Sequence, residues 1–310
     1  MDKKNLIPLL AMPLLLLAVE FGALLVSLPV QASGIVAFED PSSMENPVIF
    51  IAILLGFTLF LLLLIKYGKR EWISAIIVLS IFLTFIYIFS ALVHMITSDP
   101  ILSPVMVLIV STVATALIRY YPEWYVIDSL GVLIGAGVAA IFGASLEVIP
   151  VVILLAILAI YDAISVYKTK HMITLAEGVV DLKTPILFVI PKRRDYSFIK
   201  EGIGKLQNDD AVAEGSEAKE GGSERAAFII GMGDLIMPSI LVVSANVFLK
   251  SAKYGGFINL PALGAVIGSV AGLVVLLYFV MSGKPQAGLP PINGGTILGF
   301  LVCWAATGWA

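Results

Sequence analysis

The chain has 310 residues, of which 59% are hydrophobic and only 13% charged, with a formal net charge of −3 and a mean hydropathy of +1.02. Soluble domains carry about 25% charged and 45–50% apolar residues, so a water-facing enzyme is excluded, and so weak a net charge excludes a nucleic-acid binder. The lone cysteine, Cys303, forbids an intrachain disulfide, and two histidines argue against a His-rich metal site; no metal or cofactor is expected.

Cut at charges and turn residues, the apolar runs give nine spans, at about 6–30, 48–66, 72–97, 101–119, 125–147, 149–168, 226–249, 257–282 and 292–310. The expected fold is an all-α polytopic membrane protein, since backbone groups in lipid must be satisfied within helices. A single membrane domain, 1–310, would hold helices over 6–168, a loop over 169–225 and helices over 226–310. The first span has a rival reading. Lys3-Lys4, an apolar run and Val30-Gln31-Ala32 before Ser33 have the layout of a cleaved signal peptide, although the run is long and contains Pro13 and Glu20.

Within the loop, Gln207–Arg225 is rich in Gly, Ser and acids and reads as a disordered linker. The run Thr184–Pro191 is β-prone between two prolines. It either pairs as a strand edge or tucks against the bilayer as an irregular loop. Small residues recur at spacing four, at Gly131 and Gly135, at Gly264, Gly268 and Gly272, and at Gly295 and Gly299, and predict closely approaching helices.

With the N-terminus cytoplasmic, only Lys250 and Lys253 of the 19 Lys and Arg residues fall outside. Glu39, Asp40, Glu45 and Asp99 occupy the outer loops, Trp72 and Trp124 an inner aromatic belt, and Trp309 an outer one. The loop 169–225 is then cytoplasmic and the C-terminus extracytoplasmic.

Four carboxylates fall within the spans, where charge is costly and function is the default expectation. Glu20 reads as structural, or as facing a water-filled interior, and Asp128 as interfacial near the inner end of span five. Asp162 precedes Lys168 by six residues on an inward-running span, which puts it ~9 Å from the inner face at helical rise. Asp234 follows Arg225 by nine residues on an outward-running span, ~13 Å deep. No basic residue on either span lies near them. Two such acids facing each other share a proton and can activate water. Depth and charge alone leave a catalytic dyad, a proton- or cation-coupled transporter and a structural role open.

The local motifs are Tyr161-Asp162 and Gly231-Met232-Gly233-Asp234. Glycines beside an acid let a backbone pass close by or let the helix loosen. With these motifs on the sixth and seventh of nine spans and a long loop between, the chain resembles the presenilin and signal peptide peptidase family of GxGD intramembrane aspartyl proteases. The resemblance implies Asp162 and Asp234 as catalytic aspartates, with Tyr161, Gly231, Met232 and Gly233 shaping the site. The family's third motif, PAL, opens the ninth span. A literal Pro261-Ala262-Leu263 opens span eight on the outer side instead, while the inner start of span nine reads Ala287-Gly288-Leu289-Pro290. Position assigns the substrate-binding role to Ala287, Gly288, Leu289 and Pro290, although Ala and Gly replace the Pro and Ala of the motif.

The basic-residue asymmetry favours the presenilin-like branch, whose substrates are single-span helices with the N-terminus outside. The brevity of the chain looks like an archaeal homologue that acts without partner subunits, and a homo-oligomer is compatible with the reading. An unwound substrate would pair with an edge near 184–191 or beside Ala287–Pro290. Rival protease classes fit worse. There is no HExxH, and the rhomboid-like Gly143-Ala144-Ser145-Leu146 follows His94 in the wrong chain order. Prepilin-type peptidases, which share GxGD, have fewer spans. A transporter would show inverted repeats, and no internal symmetry is evident.

Overall fold

The computed structural model of the chain describes residues 3–67, 70–97, 99–169, 187–191, 193, 196–201, 227–280 and 286–308. Among them are nine helices of 17 residues or more: α1 (Lys3–Ser33), α2 (Asn46–Tyr67), α3 (Arg70–His94), α4 (Leu102–Tyr120), α5 (Trp124–Ser145), α6 (Val148–Ile164), α7 (Met232–Phe248), α8 (Leu260–Val280) and α9 (Leu289–Ala306). Eight are long and apolar enough to cross a membrane once the extension of α6 is included, and α7, with 17 residues, is the shorter one.

α7 is also the most enclosed. α1, α5, α6, α8 and α9 all pack on it, and Leu235, Ile240, Leu241, Val242, Val243 and Ala245 are fully buried. α2 by contrast presents apolar side chains outward along its length, as a helix facing lipid does. α1 is part of the core. Its Glu20 is 0% exposed, accepts the Ser269 hydroxyl of α8 at 2.6 Å, and so keys two helices together rather than facing a water-filled interior.

The seventh element corrects the expected span 226–249. Ala227–Gly231 form a strand, β2, antiparallel to β1 (Leu187–Pro191), in register from Leu187 opposite Gly231 to Pro191 opposite Ala227. Phe228-Ile229-Ile230 is aromatic and β-branched and suits a pleated, half-buried surface. Of the two readings of Thr184–Pro191, pairing as a strand holds for 187–191, while 184–186 and the linker 207–225 lie outside the described residues. The correction also removes the helical-rise depth given for Asp234, because a strand advances ~3.3 Å per residue.

The small-residue pattern is packing, as expected. α8 and α9 make the most extensive helix contact. In it Gly264 and Gly268 meet the backbone of Gly299 and Gly295, and Gly272 meets that of Pro291 and Ile292. A Cβ at Gly268 would collide with the Gly295 carbonyl oxygen and sit 2.8 Å from its carbon. Gly268→Ala is therefore expected to destabilise the bundle by about 1–3 kcal/mol, the usual cost of overpacking, read as a lower midpoint in denaturant-titrated micelles. Gly56→Ala on α2, where a Cβ meets nothing within 4 Å, leaves the midpoint unchanged or higher.

The decoy Pro261-Ala262-Leu263 is a helix start. Asn259, just before α8, accepts the Ala262 N–H at 2.9 Å and donates to the Ala245 carbonyl at 2.7 Å, a side-chain N-cap with proline in the first turn. It lies beside the far end of α7 from Asp234, ~18 Å away along the helix.

Candidate active site

Three chain ends meet at the other end of α7. α6 carries Asp162 in its last turn, and directly after Ile164 the helix widens into a π-helical turn, Ser165–Thr169. Such wide turns concentrate at functional sites. β2 delivers Gly231 as the N-cap of α7, placing Met232 and Gly233 in the first turn with Asp234. α9 begins at Leu289 behind Gly288, with prolines in its opening turn where a missing N–H costs nothing.

The start of α9 touches both acids. The Leu289 N–H donates to Asp162 Oδ2 at 3.0 Å, and the Gly288 N–H lies beside the same carboxyl. A side chain at Gly288 would begin 2.8 Å from Asp234 Oδ2 and 3.0 Å from its Cγ. Asp162 and Asp234 are near enough to interact electrostatically, and neither is paired with a basic side chain among the described residues. Asp162 is 6% exposed. Tyr167 of the π turn donates its hydroxyl to Gln286 Oε1 at 2.8 Å and ties α6 to the segment entering α9.

The remaining expected residues divide into two groups. A Cβ at Gly231 would stand 3.4 Å from Asp234 Oδ2, and one at Gly233 would meet nothing within 4 Å, so the space beside Gly233 is open. Met232 turns away into the cluster containing Phe188, Leu235 and Ile292, a packing position beside the acid. Tyr161 is half-buried on α6 next to Asp162, Ala287 is buried, and Gly288, Leu289 and Pro290 are half-buried. Ser145 does not fit the rhomboid pattern: it donates to Ile141 O and accepts the Ala37 N–H.

The sheet borders this site, and its register fixes which edge is open. The Val189 N–H donates to Asp128 Oδ1 at 2.8 Å and therefore points away from β2. In an antiparallel ladder the pairs Phe188 with Ile230 and Ile190 with Phe228 are then the hydrogen-bonded ones. Ala227, Ile229 and the Gly231 N–H face the outer side of β2. Among the described residues these three carry no backbone hydrogen bond to another segment. Sequence reasoning missed β2 and the Asp128 contact. The β-branched run before Gly231 is the signal for β2; nothing local signals the contact.

Residues 12–309 match the family model described as signal-peptide peptidase, presenilin aspartyl protease. A solved structure of a presenilin family intramembrane aspartate protease, in a C222 crystal form, is 48% identical with a TM-score of 0.70, over 96% of this chain and 99% of that one. Another, in a P2 form, is 49% identical with a TM-score of 0.68, over 96% and 98%. No curated protein matches the chain. These likenesses give no support to a coupled transporter. Among the described residues, nine apolar helices and two acids without a basic partner converge on one helix start, and with a match over nearly the whole sequence they lead to one conclusion: the chain belongs to the signal-peptide peptidase and presenilin family and is a multi-pass intramembrane aspartyl protease.

Proposed function

We propose that Asp162 and Asp234 are the catalytic pair and that they hydrolyse peptide bonds within single-span helices whose N-terminus is outside. The observation that carries this is the shared contact with Gly288 and Leu289, which brings acids from α6 and α7 to one point. One carboxylate takes a proton from water as its oxygen attacks the scissile carbonyl, while the protonated partner donates to the carbonyl oxygen. Collapse of the tetrahedral intermediate breaks the C–N bond, and the amine leaves with a proton returned from the pair.

A helical substrate hides its carbonyls in the i to i−4 ladder, so it must first unwind. Strand addition fits the geometry. Among the described residues the backbone groups of Ala227, Ile229 and Gly231 on the outer side of β2 have no partner in another segment, Gly231 stands beside Asp234, and Gly233 leaves room there. Gly288 lies against Asp234 and the Leu289 N–H against Asp162, and Ala287, Gly288, Leu289 and Pro290 are read as the substrate-binding segment. The bias of Lys and Arg supports a cytoplasmic N-terminus and 169–225 loop with an extracytoplasmic C-terminus.

The test is cleavage of a single-span peptide in detergent, with products identified by mass and an aspartyl-protease transition-state analogue as inhibitor. Specific cleavage blocked by the analogue is the expected result, and cleavage indifferent to it would reject the pair. Leu289→Glu is expected to lower turnover at least about tenfold, because a charge inside the membrane costs ~3 kcal/mol. Helix content by circular dichroism should stay at the wild-type level.

A further inference from the structure

Two carboxylates near the start of α5 hold the described part of the loop. Glu123 accepts the Ser197 hydroxyl at 2.6 Å and the Phe198 N–H at 3.1 Å, anchoring the helical turn Phe198–Glu201. Asp128, one turn further along α5, reaches the sheet and accepts the Val189 N–H at 2.8 Å. Val189 is the middle residue of β1, and the outer side of that strand has few donors, because Pro191 has no N–H. Asp128 therefore occupies the central donor on which an added strand would depend.

α5 packs on β1 and Val189 is buried, so the edge is covered at its middle and approachable only beside Ile190 and Pro191. A cavity of ≈ 390 Å³ lies against it, lined by Leu14 and Leu15 of α1, Trp124 and Asp128 of α5, and Ile190 and Pro191 of β1. Open strand edges recruit extended chains unless a charge or a cover blocks them. A chain added to β1 would lie two strand spacings, ~10 Å, from β2 and its Gly231, against one spacing for a chain added to β2.

We propose that Asp128 is a positioning and specificity-determining residue: it caps the outer edge of β1 so that an extended substrate segment joins the sheet only at β2, beside Asp234. This rests on the strand-addition reading above. Without the cap, peptide also binds at β1, where it cannot be cut. A second, unproductive mode of this kind lowers kcat and KM by the same factor and leaves kcat/KM unchanged, whereas simple damage to the site lowers kcat/KM.

The experiment compares wild type with Asp128→Leu, Asp128→Ala and Asp128→Asn, using a single-span peptide that carries a photo-reactive phenylalanine. In Asp128→Leu, kcat and KM are expected to fall together by about threefold to tenfold, the worth of one net hydrogen bond. Crosslinks, confined to β2 in the wild type, then appear at Ile190 and Pro191 as well. Asp128→Asn keeps an amide oxygen for Val189 and restores wild-type values; Asp128→Ala repeats the Leu result if the Leu variant fails to fold. Unchanged constants and crosslinks in Leu and Ala, or a loss of kcat/KM that Asn does not rescue, would overturn the cap. Neither outcome touches the dyad, which is read separately in Asp162→Asn; the crosslinks in turn report edge choice even if the dyad assignment fails.

Discussion

With Asp162 or Asp234 replaced by asparagine, cleavage of a single-span peptide falls below detection while helix content and melting temperature hold. Asparagine has the shape of aspartate but neither accepts a proton from water nor donates one to a carbonyl. Each proton-transfer role is worth about 10²–10⁴-fold, and in the proposed mechanism the two act on one water, so a single replacement removes both. The double variant is accordingly no worse than either single one, as for other groups that act as a unit. Local structure should survive, because an amide oxygen at position 162 still accepts the Leu289 N–H now bound at 3.0 Å. The measurement is product mass at long incubation beside circular dichroism and thermal unfolding of the same samples. Turnover surviving in either variant removes the dyad.

Gly288→Val lowers kcat about 10²-fold or more, the penalty for displacing a reacting group by ~1 Å. The argument is steric. Gly288 has φ −77°, a conformation open to any residue, so backbone strain plays no part. Its missing Cβ would stand 2.8 Å from Asp234 Oδ2, 3.0 Å from Cγ and 3.2 Å from Oδ1. Valine adds two methyl groups at that spot and turns the carboxyl away from Asp162. Gly288→Ala restores the central residue of the family's PAL motif and asks the carboxyl to move by only a few tenths of an ångström, so its loss is far smaller. The ordering of wild type, Ala and Val in single-turnover rate, at matched thermal stability, checks the contact. Equal rates in all three would place Asp234 elsewhere during catalysis.

How much of this was legible in the sequence depends on the range of the interaction involved. The helices follow from runs of apolar residues, and lipid leaves the backbone little alternative. Asp162 and Asp234 stand out because uncompensated acids are rare in such runs, and the chain direction of α6 and α7 puts them at the same end. Position alone favours the start of α9 over Pro261-Ala262-Leu263, and the Asn259 cap explains the literal match as a helix beginning. β2 escaped because Ala-Phe-Ile-Ile-Gly is as apolar as the first turn of a span; only its partner, about forty residues earlier in the chain, decides between strand and helix. Asp128 escaped for the same reason. An acid near a membrane interface looks ordinary until Val189, 61 residues away, is brought to it by folding.

The shortness of α7 has a consequence for the second substrate, water. Seventeen residues of helix extend ~26 Å, against a hydrocarbon core of ~30 Å. Because α1, α5, α6, α8 and α9 surround α7, the missing length is a recess inside the protein and not a mismatch against lipid. Its floor is the end of α7 that carries Asp234, where Gly233 is exposed and a Cβ would meet nothing within 4 Å. Such a hollow is where the hydrolytic water would gather.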